Sequence, residues 1–402
     1  MKRERCQVVI AGAGPVGTVM ATLLAQIGVD VVVLEAGADC AQDLRASTFH
    51  PPTLEMLDQI GITPMLLKRG LKAPIYHWRD RQSGEFIEFD LSELSDVTRY
   101  PFRIQCEQYH LSRALADGLE KFDNADIRFG NRLLSFQQDD SGVDIEVETA
   151  LGIDHLRADY LIGADGANSI VRKWLGIEFD GFTYAERFLC LSTEEDLAAH
   201  LPGLAPVNYV SDPEEWLVLL RVPSLWRVLV PTDGTLDDGE LRSDKMKNEI
   251  FDRLTGDGAA IETRHRTLYR VHQRVAKSFV ENRVILIGDS AHLNNPLGGF
   301  GMNSGVHDAF NLFEKLEPLL KLGKTTNGSL ELYDRQRRKV THSFTQTQTI
   351  ENMKFIQSGH ESGAHERKRQ EMLAIKQDDV RRREYLLRQS MYESLAQAEA
   401  IN

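Results

Sequence analysis

One short stretch limits what this chain can fold into more than any other: Gly12-Ala-Gly14-Pro-Val-Gly17. It follows an apolar, β-branched run, Gln7–Ala11, and opens a helical pattern over Pro15–Ile27 that Gly28 ends. A second apolar run, Val31–Glu35, comes next. Strand, glycine turn, helix and strand make a β-α-β unit, which requires a parallel sheet with a right-handed crossover. The glycines let the backbone turn tightly and approach a pyrophosphate, which then sits on the helix N-terminus. Glu35 closes the second strand, where an acid accepts hydrogen bonds from ribose hydroxyls. Gly12, Ala13, Gly14, Pro15, Val16 and Gly17, with Glu35 and Ala36, are therefore the candidate contacts to a dinucleotide. An acid at that position suits the unphosphorylated adenosine ribose of FAD or NAD.

The same segment has a competing reading. No residue from Cys6 to Val29 is charged, a stretch long enough to span a bilayer behind the basic start Met1-Lys-Arg-Glu-Arg5. Five helix-breaking residues and several polar ones interrupt it, so strand, turn and helix account for it better. The expectation is a cytoplasmic protein of 402 residues, enough for two or three domains. Its formal net charge of −13 argues against nucleic acid and anionic membrane as partners. Cys6, Cys40, Cys106 and Cys190 match no metal clip and no close redox pair, so no metal is expected.

Further along, Thr53–Ile60 predicts a short helix, and Gln108–Phe122 a longer one with Leu111, Leu115, Leu119 and Phe122 on one face. Ile75–Trp78 and Phe86–Phe89 read as strands, and Asp126–Gly176 is βα-like. Val207–Pro231 is strand-rich, with Trp216–Val222 and Trp226–Val230 as a hairpin. Arg335 onwards is polar and helical, with Tyr385, Leu386, Leu387 and Met391 as an apolar side.

A second site decides between the dinucleotides. Val284-Ile-Leu-Ile-Gly288-Asp289-Ser-Ala-His292 is a buried strand ending in Gly-Asp. Asn295-Pro-Leu-Gly-Gly-Phe-Gly-Met-Asn303 follows and leads into a helix carrying Asp308 and Asn311. Here the sequence resembles the group A flavoprotein monooxygenases, the para-hydroxybenzoate hydroxylase family. The resemblance covers roughly residues 6–340 in order and spacing. It implies that Asp289 binds ribityl hydroxyls of FAD. It also implies that Pro296, Gly298, Gly299, Gly301, Met302 and Asn303 pass under the isoalloxazine ring. Small residues admit a ring, and helix-start N–H groups facing its N1–C2=O edge stabilise the charge that reduction puts there. Asp159-Tyr-Leu-Ile-Gly-Ala-Asp165-Gly166 looks like a third family motif, implicated in FAD and nicotinamide contacts; Asp165 tying a turn together is the competing reading. Arg45 and Gln105 stand where the family places FAD contacts, and Phe300 replaces a commoner glutamine.

The fold expected from pattern and resemblance together is α/β and para-hydroxybenzoate hydroxylase-like. Residues 1–72, 104–180 and 275–335 form a discontinuous Rossmann-type FAD-binding domain. Residues 73–103 and 181–274 form an inserted β-rich substrate domain, and 336–402 a helical C-terminal segment. The implied activity is an NAD(P)H- and O2-dependent hydroxylation of a small phenolic or hydroxy-heteroaromatic substrate, through a flavin C4a-hydroperoxide. A homodimer is compatible with this reading. The chain lacks a second Gly-x-Gly-x-x-Gly, a Cys-x4-Cys pair, the Trp-x-Trp-x-Ile-Pro of flavin halogenases, and length for a thioredoxin-like C-terminal domain. Two rivals stay open: a reductase or dehydrogenase on the same scaffold, and a flavin-binding redox sensor without turnover.

The substrate pocket is less legible. Tyr209, Trp216, Arg221 and Arg227 on the second β-rich stretch are candidates, with Tyr76 and Trp78 on the first. Alternation puts Leu217, Leu219 and Arg221 on one strand face and Trp216, Val218 and Leu220 on the other. Tyr209, Arg221 and Pro296 are taken as substrate contacts, an arginine serving to bind a carboxylate or phenolate. His50, shortly after Arg45 and before Pro51-Pro52, is taken as the base that deprotonates a phenol. No motif supplies a covalent flavin attachment, so denaturing the purified yellow protein should release intact FAD; flavin that remains on the denatured chain contradicts this.

Overall fold

The strand Glu4–Ala11 is buried over its second half, where Val8, Val9 and Ile10 are wholly covered. In a computed structural model, which describes residues 4–42, 46–212, 215–232, 234–256, 258, 260–322, 328–357 and 363–402, it lies at the centre of the first sheet. Val31–Glu35 and then Ala125–Phe129 pair parallel on one side of it. Gly152–Gly163 and then Val284–Leu286 pair parallel on the other. A strand covered on both faces must be apolar throughout, which explains the unbroken run of valine, isoleucine and leucine. The helices Pro15–Gln26 and Phe300–Leu322 pack together beside this sheet and share one core with it. The stretch from 126 to 176, expected to be βα-like, is mostly strand. A hairpin of Arg132–Asp139 and Gly142–Thr149 pairs antiparallel with Gly152–Gly163, and only Ile170–Trp174 is helical. Its alternating apolar residues serve a half-covered surface, a pattern that propensity alone separates poorly from helix.

The second sheet has eight strands, running from His292–Leu293 through His265–Ala276, Phe179–Thr193, Trp226–Thr232, Leu217–Arg221, Val207–Ser211 and Ile75–Asp80 to Phe86–Asp90. Its two faces separate by the two-residue period of a strand. Leu189, Leu191, Leu217, Leu219, Val228 and Val230 face one core, closed by Ile250 and Phe251 of the helix Asp244–Thr255. Phe188, Trp216, Val218, Leu229 and Val271 face the other way, toward Leu297 and Met353.

The C-terminal segment is helical. Ala364–Gln377 and Asp379–Gln389 pack on the outer end of the second sheet, where Met372 and Leu386 meet Tyr76, Trp78 and Phe89. Arg382–Glu93 at 2.8 Å, Arg383–Asp96 at 2.6 Å and the Arg369–Glu85 pair tie these helices down. None of the described helices is long and apolar enough to cross a membrane.

One buried charge cluster joins the layers. The Asp308 carboxylate, on the helix Phe300–Leu322, accepts from the Gly288 amide at 3.0 Å, His292 Nε2 at 2.7 Å and Arg337 Nε at 2.6 Å. Asp308, His292 and Arg337 are all at most 1% exposed. Burial pushes the Asp308 carboxyl up, but the charges of His292 and Arg337 overcome that and hold it at about 2. A carboxylate held below its unfolded value adds stability above that value, and the addition is lost as pH falls through the folded one. Asp308→Asn should therefore cost about 3–5 kcal/mol near neutral pH, because it leaves Arg337 buried without its counter-charge. The gap between wild type and variant in urea unfolding should narrow between about pH 4 and about pH 2. A gap that is constant across that range overturns the assignment.

Candidate active site between the sheets

The two sheets and the segment Leu293–Met302 enclose a cavity of about 1710 Å³ of empty space, mouth included. One end is formed by Gly14, Pro15, Val16, Ala164, Gly166 and Asp289, the other by Tyr209, Val218, Leu220, Arg227, Leu229 and Val271. The ends differ in chemistry because different elements build them.

At the first end the glycine turn does what its spacing requires. Gly12 has φ +104°, and a side chain there would meet the Ala164 carbonyl at 2.5 Å. A side chain at Gly17 would collide with the Gly12 carbonyl, so the helix can start only this close to the strand with glycine. Gly14, by contrast, faces open space on the cavity wall, leaving backbone accessible to a phosphate. The Glu35 carboxylate accepts from the Ala13 amide at 2.9 Å and the Gly37 amide at 2.8 Å, holding the turn against the strand end; Ala36 is exposed beside it. Asp289 projects into the cavity from the short turn Gly288–Ser290. Two polar atoms here are buried without a protein partner: Ser47 Oγ, on the cavity wall, and Gln105 Nε2, whose Oε1 accepts from Thr48 Oγ1 at 2.9 Å. Such orphans have a stabilising place for a polar ligand. Together with the open backbone at Gly14, they fit an FAD running from the glycine turn to the Gly-Asp turn. Arg45 lies outside the described residues.

The floor between the two ends is Pro296–Gly299 with Gly301 and Met302, the latter two in the first turn of the helix Phe300–Leu322. The free N–H groups of that turn can face a developing negative charge. Asn303 does not line the cavity. Its Nδ2 donates to the Thr48 and Gly299 carbonyls at 2.8 and 2.6 Å, and its Oδ1 accepts from the His50 amide at 2.9 Å. It clamps the loop from behind.

His50 is also behind the loop, which corrects the expectation of a base. It is wholly buried, its Nε2–H donates to the Gly298 carbonyl at 2.8 Å, and it is not among the residues lining the cavity. Burial, then the nearby Arg103 charge, holds its pKa well below the usual histidine value. It is a neutral donor that shapes the loop, with no path to a substrate hydroxyl; the Pro-Pro helix start that follows it packs inward. Asp165 likewise spends an oxygen on structure, accepting from the Ile170 and Val171 amides at 2.7 and 3.1 Å. Arg172 is buried and joins this turn to the Gly-Asp turn through the Ala167 and Ser290 carbonyls.

At the far end the walls are Val218, Leu220, Leu229, Val271, Leu297 and Pro296, with Tyr209, Tyr269, Cys190 and Arg227 among the polar groups and Arg270 and His272 beside Val271. Arg221, expected here, points to the opposite face beside the Trp226 ring, 5.5 Å from its centroid. The alternation was legible, but both faces of the strand are apolar, so sequence could not say which one meets the cavity. Arg227, on the neighbouring strand, takes the place instead. It is 2% exposed, and its Nη2 donates to Glu107 Oε1 at 3.2 Å. Its Nε and Nη1 are buried with no partner. Trp216 packs edge-on against Phe188, and Tyr76 and Trp78 lie on the side of the C-terminal helices.

A parallel sheet with a glycine turn, a Gly-Asp turn and a glycine floor leading to a mostly apolar chamber defines an FAD-dependent monooxygenase of aromatic rings. The comparisons agree. A family model described as "FAD binding domain" matches residues 5–348, and the chain belongs to that family. It is 37% identical over 356 residues to the para-nitrophenol 4-monooxygenase of Pseudomonas sp. (strain WBC-3), covering 87% of each chain. It is 31% identical to the 6-hydroxy-3-succinoylpyridine 3-monooxygenase HspB of Pseudomonas putida, covering 87% of this chain and 88% of the relative. The crystal structure of the p-nitrophenol 4-monooxygenase PnpA from Pseudomonas putida DLL-E4 superposes with a TM-score of 0.91 at 34% identity, covering 98% of both chains. The protein is an FAD-dependent aromatic hydroxylase, of a class that uses NAD(P)H and O2.

Asp289→Ala should weaken FAD binding by about ten- to a hundredfold, the worth of a hydrogen bond to a charged group at about 1.5–3 kcal/mol. Fluorescence titration of the apoprotein measures it, and an unchanged affinity removes Asp289 from the site.

Proposed function

We propose that this enzyme hydroxylates a small phenol or hydroxypyridine that binds as its anion, with the charged oxygen or an anionic substituent on Arg227. The observation that carries this reading is the buried Arg227 guanidinium, whose Nε and Nη1 have no partner beside the apolar Val218, Leu220 and Leu229. Leaving such donors unmet is costly, and an anionic oxygen supplies what they lack. The relatives named for para-nitrophenol and a hydroxypyridine support the same substrate class.

In this reading the flavin end is held by the glycine turn, Glu35, Gln105 and Asp289, with Pro296, Gly298, Gly299, Gly301 and Met302 beneath the ring. Bound there, FAD would supply the redox chemistry, passing electrons from NAD(P)H to O2 so that one oxygen atom enters the ring and the other leaves as water. The chain's own residues do the rest. Val218, Leu220, Leu229 and Val271 exclude water and grip an aromatic ring. Arg227 favours the ionised over the neutral phenol, which raises electron density at the ortho and para carbons that an electrophile attacks. Tyr209, whose hydroxyl accepts from Arg103 Nη1 at 3.5 Å, lies beside the ring as the second polar contact. No basic side chain need take the proton permanently, since a bound anion can arrive already ionised from solution.

Arg227→Gln tests this. The variant should keep its FAD but lose about ten- to a hundredfold in affinity for para-nitrophenol, as expected for a charged hydrogen bond. Its loss should be larger above the substrate's own pKa, where the anion that Arg227 binds predominates, than below it. Affinity and pH profile matching wild type would sink the proposal.

A further inference from the structure

A second cavity, of about 750 Å³ of empty space, lies between the second sheet and the C-terminal helices. Nothing in the chemistry above uses it. Its inner wall is aromatic, made of Tyr76, Trp78, Tyr209 and Tyr385, with Met372 and Ile375 beside them. Lys368, Glu371 and Arg388 also line it, so the two ends of this space differ in polarity. Tyr209 lines this cavity and the main one alike, and stands as the partition between them.

The partition is weakly held. The Tyr209 hydroxyl accepts a long bond, 3.5 Å, from Arg103 Nη1. Arg103 is itself 1% exposed, lies over the Tyr76 ring at 4.5 Å, and donates from Nη2 to the Gln389 carbonyl at 3.4 Å. Its Nε has no partner. Bonds of this length give little orientational hold, and the ring's other contacts are packing ones, with Tyr76 edge-on at 6.3 Å, so a ring rotation here breaks no strong hydrogen bond. The other end of the main cavity is where the glycine turn and Asp289 stand, and FAD held by them would occupy it. With that side filled, a route past Tyr209 reaches the far end of the main cavity without crossing the cofactor.

We propose that the second cavity is the passage through which the aromatic substrate reaches the main cavity and product leaves, with the Tyr209 ring as its inner door. The inference rests on reading the main cavity as the substrate chamber. An aromatic wall accommodates a flat ring by stacking. A passage has a kinetic signature that a binding site lacks. Narrowing it slows arrival and departure by the same factor and leaves the equilibrium untouched, whereas damage to the site changes the dissociation constant.

The experiment uses FAD-loaded enzyme and para-nitrophenol, with rapid mixing followed by flavin fluorescence. Ile375→Trp, from the helix wall, and Glu371→Trp, from an exposed position on the same helix, should each lower the association and dissociation rate constants together. A shared drop of about tenfold with an unchanged Kd is the expected result. Ile375→Ala should leave both rate constants at or above wild type. Association at the wild-type rate in both tryptophan variants overturns the passage, as does a raised Kd with unchanged association. If wild-type enzyme binds no para-nitrophenol or other phenol, the substrate reading of the main cavity falls instead, and this inference falls with it.

Discussion

The Asp308 carboxylate holds together the parts on which the site depends. It sits on the long helix whose first turn forms part of the cavity floor. It accepts from the backbone of the Gly-Asp turn, from the histidine that follows that turn, and from an arginine on the next helix. Three segments thus meet on one buried charge. An ionised group taken out of water is tolerable only when its partners are near ideal, so the cluster accepts few alternative geometries. The Tyr333 hydroxyl, donating to the Leu286 carbonyl at 2.8 Å, adds a neutral tie between the same helix and the strand before the turn.

From that anchor the cavity floor is supported on a second side. Asn303, His50 and Gly298 form a chain of hydrogen bonds beneath the glycines. The C-terminal helix Thr347–Gln357 reaches the same loop through Thr349 and Asn352, which bind Asn295 and Leu297. A loop rich in glycine has much conformational freedom to lose, and these side-chain bonds to its carbonyls restrict it without filling the space above it. The polar groups lie below and the cavity above, which is how the floor can be both rigid and bare.

The two ends of the cavity were unequally legible. The nucleotide end depends on backbone geometry, and backbone geometry of this kind demands glycine, so Gly12, Gly14 and Gly17 show it in the chain itself. The chamber at the other end depends on which face of each strand turns inward. Val218 and Leu220 face it, while Leu217 and Leu219 face a second core just as apolar. Where both faces are covered, alternation loses its power to orient a strand. This is why, of the two candidate arginines, Arg221 was taken as the substrate contact and Arg227 is the one that lines the chamber. His50 shows the complementary difficulty. Its nearness to the loop was readable from spacing, but burial and the direction of its ring nitrogen were set by Gly298, hundreds of residues away in the chain.

The amino-acid sequence by itself determined the parallel sheet and the dinucleotide turn, because each rests on local backbone demands that few residue types meet; the Gly-Asp turn and the class of chemistry were legible through the family resemblance that these motifs carry. Only the tertiary structure decided which side chains line the chamber, that His50 and Asn303 brace the floor from behind, and that Tyr209 separates two cavities. Those outcomes come from contacts between segments far apart in the chain. Their energies depend on burial and on which partner is left unpaired, quantities that do not exist until the sheets and helices are packed.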